Sequence, residues 1–238
     1  MNKYVFKRYE LKYILTPNQY KIILKEIKNH LSLDQYGETT IQSLYLDTDS
    51  YRLIRNSIER PDYKEKIRVR GYGVVNEDTK VYLELKKKNE KVVYKRRIEI
   101  KAKDIEDFIN GRLETKTQIE KEIVYFCNFY GELKPSLLLL YEREAYSKDG
   151  EDLRITFDKN IRYRVEDLKL STNLQGTSLL DKGEILMEIK TSKGYPGWLV
   201  DLLNKNKVYK SRFSKYGTAY QLELKKKKQI KEGEECYV

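Results

Sequence analysis

Apolar and charged residues alternate along this chain with a period of two, in run after run. From Lys64 to Lys88 it reads KEKIRVRGYG, a short link, then KVYLELKKK. Lys66, Arg68 and Arg70 share one face of the first run, and Ile67 and Val69 share the other. In the second run Tyr82, Glu84, Lys86 and Lys88 oppose Val81, Leu83 and Leu85. Successive strand side chains point to opposite sides of a sheet, so these runs predict two strands with one apolar and one ionic face. Asn76-Glu77-Asp78 predicts a hairpin-like link between them.

The same alternation predicts strands over 4–15, 41–48, 92–100, 136–146, 153–158 and 185–190. Arg8, Glu10 and Lys12 share the ionic face of the first. Lys95, Arg97 and Glu99 share that of 92–100, with Arg96 on the side of Ile98 and Ile100. Tyr141 and Arg143, then Arg154 and Asp158, then Glu188 and Lys190 follow on later strands. Helices are expected between them. Thr16-Pro17 starts one that carries Ile22, Ile23, Ile27 and Leu31 at helical spacing, with Thr as N-cap and Pro at the first position. His30 at its end reads as a surface residue favoured by the helix dipole. Asp49-Ser50 is placed to cap a short helix reaching about Glu59. Residues 103–112 and 118–130 read as helical, and Trp198, Leu199, Leu202 and Leu203 mark another after Gly197. A last helix ends in the basic run Lys225 to Lys228, and residues 226–238 read as a solvated tail. Residues 1–225 read as one domain, without a linker or repeat.

About eight strands with one ionic face each are hard to place in an open sheet, because the helices need apolar faces to pack on. The arrangement that satisfies both is an α+β fold: a closed antiparallel eight-stranded β-barrel, helices outside, ionic faces inside. Its lining would carry Arg8, Lys12, Lys66, Arg68, Arg70, Lys86, Lys95, Arg97, Arg143, Arg154 and Lys190, with Glu10, Glu84, Asp158 and Glu188 among them.

Charge sharpens this picture. The net charge of +11 calls for an anionic partner. The cations alternate with core residues, so they point into a cavity too narrow for a nucleic-acid duplex, and nucleic acid is not the expected partner. Two cysteines, Cys127 and Cys236, do not make a disulfide framework and suit a reducing compartment. No apolar run reaches the length of a membrane span. The expectation is a cytoplasmic protein. Enclosed cations need counter-charge, and Arg and Lys clamps beside a carboxylate-held Mn²⁺ or Mg²⁺ are what phosphoryl chemistry uses. Glu188, flanked by apolar residues, is the candidate metal ligand.

The chain resembles the VTC domain, the catalytic domain of vacuolar transporter chaperone polyphosphate polymerases, in a stand-alone bacterial-type form. That domain belongs to the triphosphate tunnel metalloenzyme superfamily. The motifs are RYELKY (8–13), SLYLDT (43–48), KIRVRGYG (66–73), LELKKK (83–88), YKRR (94–97), YEREAY (141–146), LRITFD (153–158), LMEIK (186–190) and RFSKYGTA (212–219). The resemblance implies an eight-stranded tunnel and transfer of the γ-phosphate of ATP to polyphosphate with Mn²⁺ or Mg²⁺. It implies phosphate contacts at Lys12, Arg68, Arg70, Lys86, Arg97 or Arg96, Tyr141, Arg143 and Arg154, a metal on Glu188, and a closing loop with Arg212, Ser214 and Lys215. Hydrolytic relatives carry Glu-x-Glu-x-Lys on the first strand. Arg8-Glu10-Lys12 departs from that and points to the polymerase branch rather than a triphosphatase or a non-catalytic binder of ATP, polyphosphate or pyrophosphate.

Overall fold

The computed structural model describes residues 9–59, 61–90 and 92–235. Arg8 and Cys236 lie outside them. In chain order the elements are β1 (Tyr9–Leu15), α1 (Pro17–His30), β2 (Ser32–Leu33), β3 (Thr39–Asp47), α2 (Arg52–Glu59), β4 (Tyr63–Tyr72), β5 (Lys80–Asn89) and β6 (Val92–Lys101). After a single 3₁₀ turn come α3 (Ile105–Ile109), α4 (Gln118–Tyr130), β7 (Lys134–Ser147), β8 (Arg154–Arg164), β9 (Thr177–Ser178), β10 (Ile185–Thr191), α5 (Gly197–Lys205), β11 (Lys210–Ser211) and α6 (Lys215–Glu235). No helix of the described residues is long and apolar enough to cross a membrane.

The helix starts follow from local chemistry. Gln19 and Thr117 show it in two forms of the same capping box. The Thr16 hydroxyl accepts the Gln19 N–H and the Gln19 carbonyl accepts the Thr16 N–H; Thr117 and Glu120 repeat the exchange at α4. The expected Asp49-Ser50 cap of α2 is replaced from further upstream. Asp47, at the end of β3, accepts the N–H groups of Leu53 at 2.8 Å and Ile54 at 3.0 Å, and the Thr48 hydroxyl accepts that of Arg52. A buried carboxylate at a helix start gains from both the free N–H groups and the dipole. The basic run Lys225 to Lys228 does not end its helix, since α6 continues to Glu235.

All strand pairings are antiparallel, and the sheet runs β11-β1-β10-β8-β7-β3-β4-β5-β6, with β2 on β7 and β9 on β8. The expected closed eight-stranded barrel is corrected here. The sheet has eleven strands, and among the described residues no pairing joins β6 to β1 or β11. The sheet nevertheless curls, because side chains of β1, β4, β5, β7 and β10 line one common cavity.

Two apolar layers cover the outside. Leu44, Ile67, Val69, Leu83, Leu85 and Leu138 pack against Phe108, Ile123, Phe126 and Cys127 of α3 and α4. Ile155, Phe157, Met187 and Ile189 pack against Ile23 and Ile27 of α1 and Leu199 and Leu203 of α5. Burial pushes the Cys127 thiol up to about 12, as suits an inert core residue. His30 stacks flat on Trp198 at 4.0 Å, so it staples α1 to α5.

A third core occupies one end of the interior. Ile41, Tyr45, Leu139, Tyr141, Ile161 and Tyr163 meet Ile54 of α2 and Tyr216 and Ala219 of α6. The interior is therefore not ionic throughout. A register shift between β7 and β8 creates this division. Asn160 takes a positive φ of 48° there. Thr156 and Asp158 point inward before the shift, and Ile161 and Tyr163 point inward after it. One strand thus changes from a polar to an apolar inner face.

Asp47 joins these layers. Besides capping α2 it accepts the Tyr216 hydroxyl at 2.9 Å, and it is 1% exposed. Replacing Asp47 with Ala removes the acceptor of several buried donors at once. The expected loss is about 3 kcal/mol, read from the urea midpoint at unchanged slope; a loss below about 1 kcal/mol would show that α2 is anchored elsewhere.

Candidate active site

The inner faces of β1, β3, β4, β5, β6, β7 and β10 and the start of α6 enclose a chamber of about 350 Å³. Lys12, Lys66, Arg68, Arg70, Lys86, Lys95, Arg143, Lys190 and Lys215 line it, against Glu10, Glu84 and Glu188. The strand period brings these residues together: even-numbered positions on β1, β4, β5 and β10 all project inward.

Two carboxylates organise the cations. Glu84 takes the Arg68 guanidinium at 2.8 and 2.9 Å and Lys95 at 2.6 Å, with Arg97 at 3.7 Å and Arg70 at 3.8 Å. Glu188 takes Lys215 at 3.0 Å and Arg143 at 3.5 Å, with Lys12 and Lys190 each at 3.6 Å. Behind Glu188, Asp158 holds Arg143 at 2.5 and 2.7 Å and also meets Lys215. Burial opposes the charge of Glu84, yet Arg68, Arg70 and Lys95 hold its carboxyl at about 2. Burial likewise opposes that of Glu188, and Lys215, Lys12 and Arg143 drive it well below the usual carboxylate range. Both hubs stay ionised.

The cations exceed what these hubs can pair. Lys66 and Lys86 make no ion pair among the described residues. Burial pushes the Lys66 amine down to about 8 and lowers those of Lys86 and Lys95. The Nε of Arg70 is buried without a hydrogen-bond acceptor. Burial would raise the Tyr45 hydroxyl, but Arg68, Lys66 and Arg70 draw it down to about 8. Such a chamber is built to receive oxygens carrying negative charge.

The chamber opens into a vestibule of about 670 Å³, and Arg70 and Arg143 line both. Arg97 and Arg154 belong to the vestibule rather than the chamber. Arg97 lies 3.5 Å over the Tyr82 ring, and Arg154 is held by Asp34 at 3.0 Å. Both were expected deeper. Arg154 is the first residue of β8, and Arg97 lies on β6, the edge strand of the sheet. Arg96 points to the outer face, where Glu122 of α4 takes it at 2.5 Å, which corrects its expected phosphate contact. Arg212 is exposed and lines neither space. Ser214 and Lys215 do enter the chamber, since α6 begins there. Tyr141 lies beneath Arg143 and Lys215 at 5.3 and 4.9 Å.

The sequence reading left Tyr45 and Tyr216 outside the site. Tyr45 sits on the inner side of its strand and accepts from Arg68 at 3.1 Å. Its alternation with Leu44 and Leu46 was a usable signal. Tyr216 stacks on Tyr45 at 4.2 Å, and no local pattern marks it. For a metal, the described residues form no group of three His, Cys, Asp or Glu side chains able to hold an ion. Glu188 can offer one carboxylate, and the remaining ligands would have to be phosphate oxygens and water. Hard divalent cations accept that donor set.

Comparison with known proteins finds relatives in sequence and in fold. A family model described as the VTC domain matches residues 7–224. Vacuolar transporter chaperone complex subunit 4 of Trypanosoma brucei brucei (strain 927/4 GUTat10.1) is 27% identical over 70% of this chain and 27% of its own length. The same subunit of Trypanosoma cruzi (strain CL Brener) is 23% identical over 70% of this chain and 26% of its own. The chain thus spans about a quarter of these curated relatives. Among solved structures, a candidate adenylate cyclase of Bacillus halodurans aligns with TM-score 0.54 at 10% identity, covering 90% of this chain and 96% of that one. A candidate adenylyl cyclase of Hippeastrum, described with a dominant triphosphatase activity, aligns with TM-score 0.52 at 18% identity, covering 87% and 92%. Those two likenesses show a shared fold.

Lys66 and Tyr45 make the chamber sensitive to pH. Above about pH 8 one loses a positive charge and the other gains a negative one. Tripolyphosphate affinity is therefore expected to fall from pH 7 to 9. The unfolded chain keeps both protons to higher pH, so the pair's contribution to stability rises over the same interval. Calorimetric titrations across this range should show the fall, and the double variant Lys66→Arg, Tyr45→Phe should flatten it. An unaltered profile in that variant would assign the titration to other groups.

Proposed function

This chain belongs to the VTC domain family, and on that premise we propose that it is a polyphosphate polymerase-like transferase, which moves the γ-phosphate of ATP onto polyphosphate or pyrophosphate in the chamber. One observation carries the reading: nine cationic side chains face three carboxylates in a space of about 350 Å³, with Lys66 and Lys86 unpaired. A triphosphate is the ligand whose charge and length match that surplus.

The chain's own residues would work by placement. Arg68, Arg70, Lys86 and Arg143 surround the triphosphate, with Lys12, Lys66, Lys95 and Lys190 completing the cationic wall. Arg154 and Arg97 receive phosphates in the vestibule. Ser214 and Lys215 close the chamber from α6. Glu84 and Glu188 keep the cations spread, so that charge developing on phosphate oxygens meets fixed partners without reorganisation. The lining offers no Cys or His, and no covalent enzyme intermediate is needed. A terminal oxygen of the acceptor forms the new bond to the γ-phosphorus, the bond to the β–γ bridging oxygen breaks, and ADP leaves with that electron pair. Mn²⁺ or Mg²⁺ bound to Glu188 and phosphate oxygens would supply further charge neutralisation there. Lys12 and Lys190, at 3.6 Å, are far enough from Glu188 to yield to such an ion.

Glu188→Gln is expected to lower turnover on the order of 10² or more, while tripolyphosphate binding stays within about tenfold. Turnover that remains full in this variant would remove Glu188 from the metal site. With ATP and Mn²⁺, the wild-type protein should release ADP and accumulate long polyphosphate on a gel. Chelation should stop both, and Mn²⁺ or Mg²⁺ should restore them. Orthophosphate without polyphosphate would make water the acceptor and the protein a triphosphatase; tight binding without any turnover would make it a binding module.

A further inference from the structure

A second cavity lies on the opposite side of the strands that wall the chamber. It measures about 680 Å³ and is bounded by α2, α4 and the outer face of β4 and β5. Its floor is fully paired. Glu65 is buried and accepts the Tyr63 hydroxyl at 2.5 Å and the Tyr130 hydroxyl at 2.6 Å, with Lys87 at 3.2 Å.

Its walls carry exposed aromatic and cationic side chains. On α4, Tyr125 and Phe129 are 70% and 61% exposed, although Ile123, Phe126 and Cys127 already commit the other side of that helix to the core. These two large aromatic side chains, one turn apart, line the cavity, and among the described residues no ring is stacked face to face on either, Phe129 meeting Tyr130 edge to face. On α2, Arg52 and Arg55 are also one turn apart, exposed, and without an ion pair among the described residues. The Arg52 guanidinium lies 5.2 Å over the Tyr130 ring, and that ring is 5.1 Å from Phe129. Arg52 and Phe129 thus flank the same Tyr130 ring, and the two arginines and two exposed rings line one cavity.

We propose that this cavity is a nucleotide-binding site separate from the chamber, with a planar base against Tyr125 and Phe129 and a phosphate between Arg52 and Arg55. Base stacking on aromatic rings is favourable and tolerant of base identity. Paired guanidinium groups match phosphate oxygens in geometry as well as charge. Glu59 lines the same cavity and offers an acceptor for ribose hydroxyls. The volume lies within the range of about 300–1,000 Å³ usual for small-molecule sites. Glu65 and Lys87 alternate along β4 and β5 with Lys66 and Lys86 of the chamber, so the two sites stand back to back. The proposal holds whether or not the chamber transfers phosphate.

The test uses the full chain with one equivalent of tripolyphosphate per chain, so that the chamber is filled and no excess competes between Arg52 and Arg55, and titrates AMP by calorimetry. One AMP should bind per chain. Its affinity should fall about tenfold or more in Tyr125→Ala, Phe129→Ala and, separately, in Arg52→Gln, Arg55→Gln. These side chains are exposed, and the urea midpoint and tripolyphosphate affinity should stay at wild-type values. Adenosine and inorganic phosphate should each bind at least about tenfold more weakly than AMP. Absence of AMP binding with the chamber filled, AMP binding unchanged in both double variants, or inorganic phosphate binding as tightly as AMP would each overturn the proposal.

Discussion

Positive charge held in a space too small to hydrate it freely is the condition around which this fold is arranged. Nine ammonium and guanidinium groups share about 350 Å³ with three carboxylates. Like charges out of bulk water repel strongly, and desolvation adds to the cost. Glu84 and Glu188 make the arrangement tolerable by each gathering four cations. What they leave unmet falls on Lys66 and Lys86, whose amines burial pushes down. An anion with several oxygens would offset that surplus.

The remainder of the structure keeps these side chains pointed at one another. Two outer apolar layers bind the helices to the sheet and leave the inner strand faces free to be ionic. The inner core at one end stops the polar space from running the length of the sheet. Tyr216 sits where these regions meet. It stacks on Tyr45 beside Arg68, donates to Asp47, and shares a 2.8 Å hydrogen bond with Ser136. Through Asp47 the start of α2 is fixed to the same point. A carboxylate outside the chamber thus sets the position of a helix that closes it.

Two arginines stand where the chamber meets the vestibule. Arg143 is fixed from two sides, by Asp158 and Glu188, and forms part of both chamber and vestibule. Arg70 stands at the same boundary with a buried Nε that has no acceptor.

Alternation alone marked Lys12, Lys66, Arg68, Arg70, Lys86, Arg143 and Lys190 as sharing an interior, and it marked Glu84 and Glu188 with them. It could do so because a strand's period of two is a local backbone property, and an apolar reverse face says which side meets helices. The same rule placed Arg96 on the apolar side, and the ion pair with Glu122 bears that reading out. Closure of the barrel was not legible, because hydrogen bonding between distant strand edges depends on accumulated twist rather than on any local pattern. Nor was the inner core, since the register shift at Asn160 reverses the faces of β8 and turns Ile161 and Tyr163 inward. The depth of Arg97 and Arg154, the entry of Lys215 and Tyr216 from α6, and the choice of Asp47 as a cap all depend on which segments meet in space. The sequence by itself determined which side chains share a face within each alternating run, because that period is local; only the tertiary structure decided where a register shift reverses a face and which faces meet, and so which cations have no ion pair among the described residues.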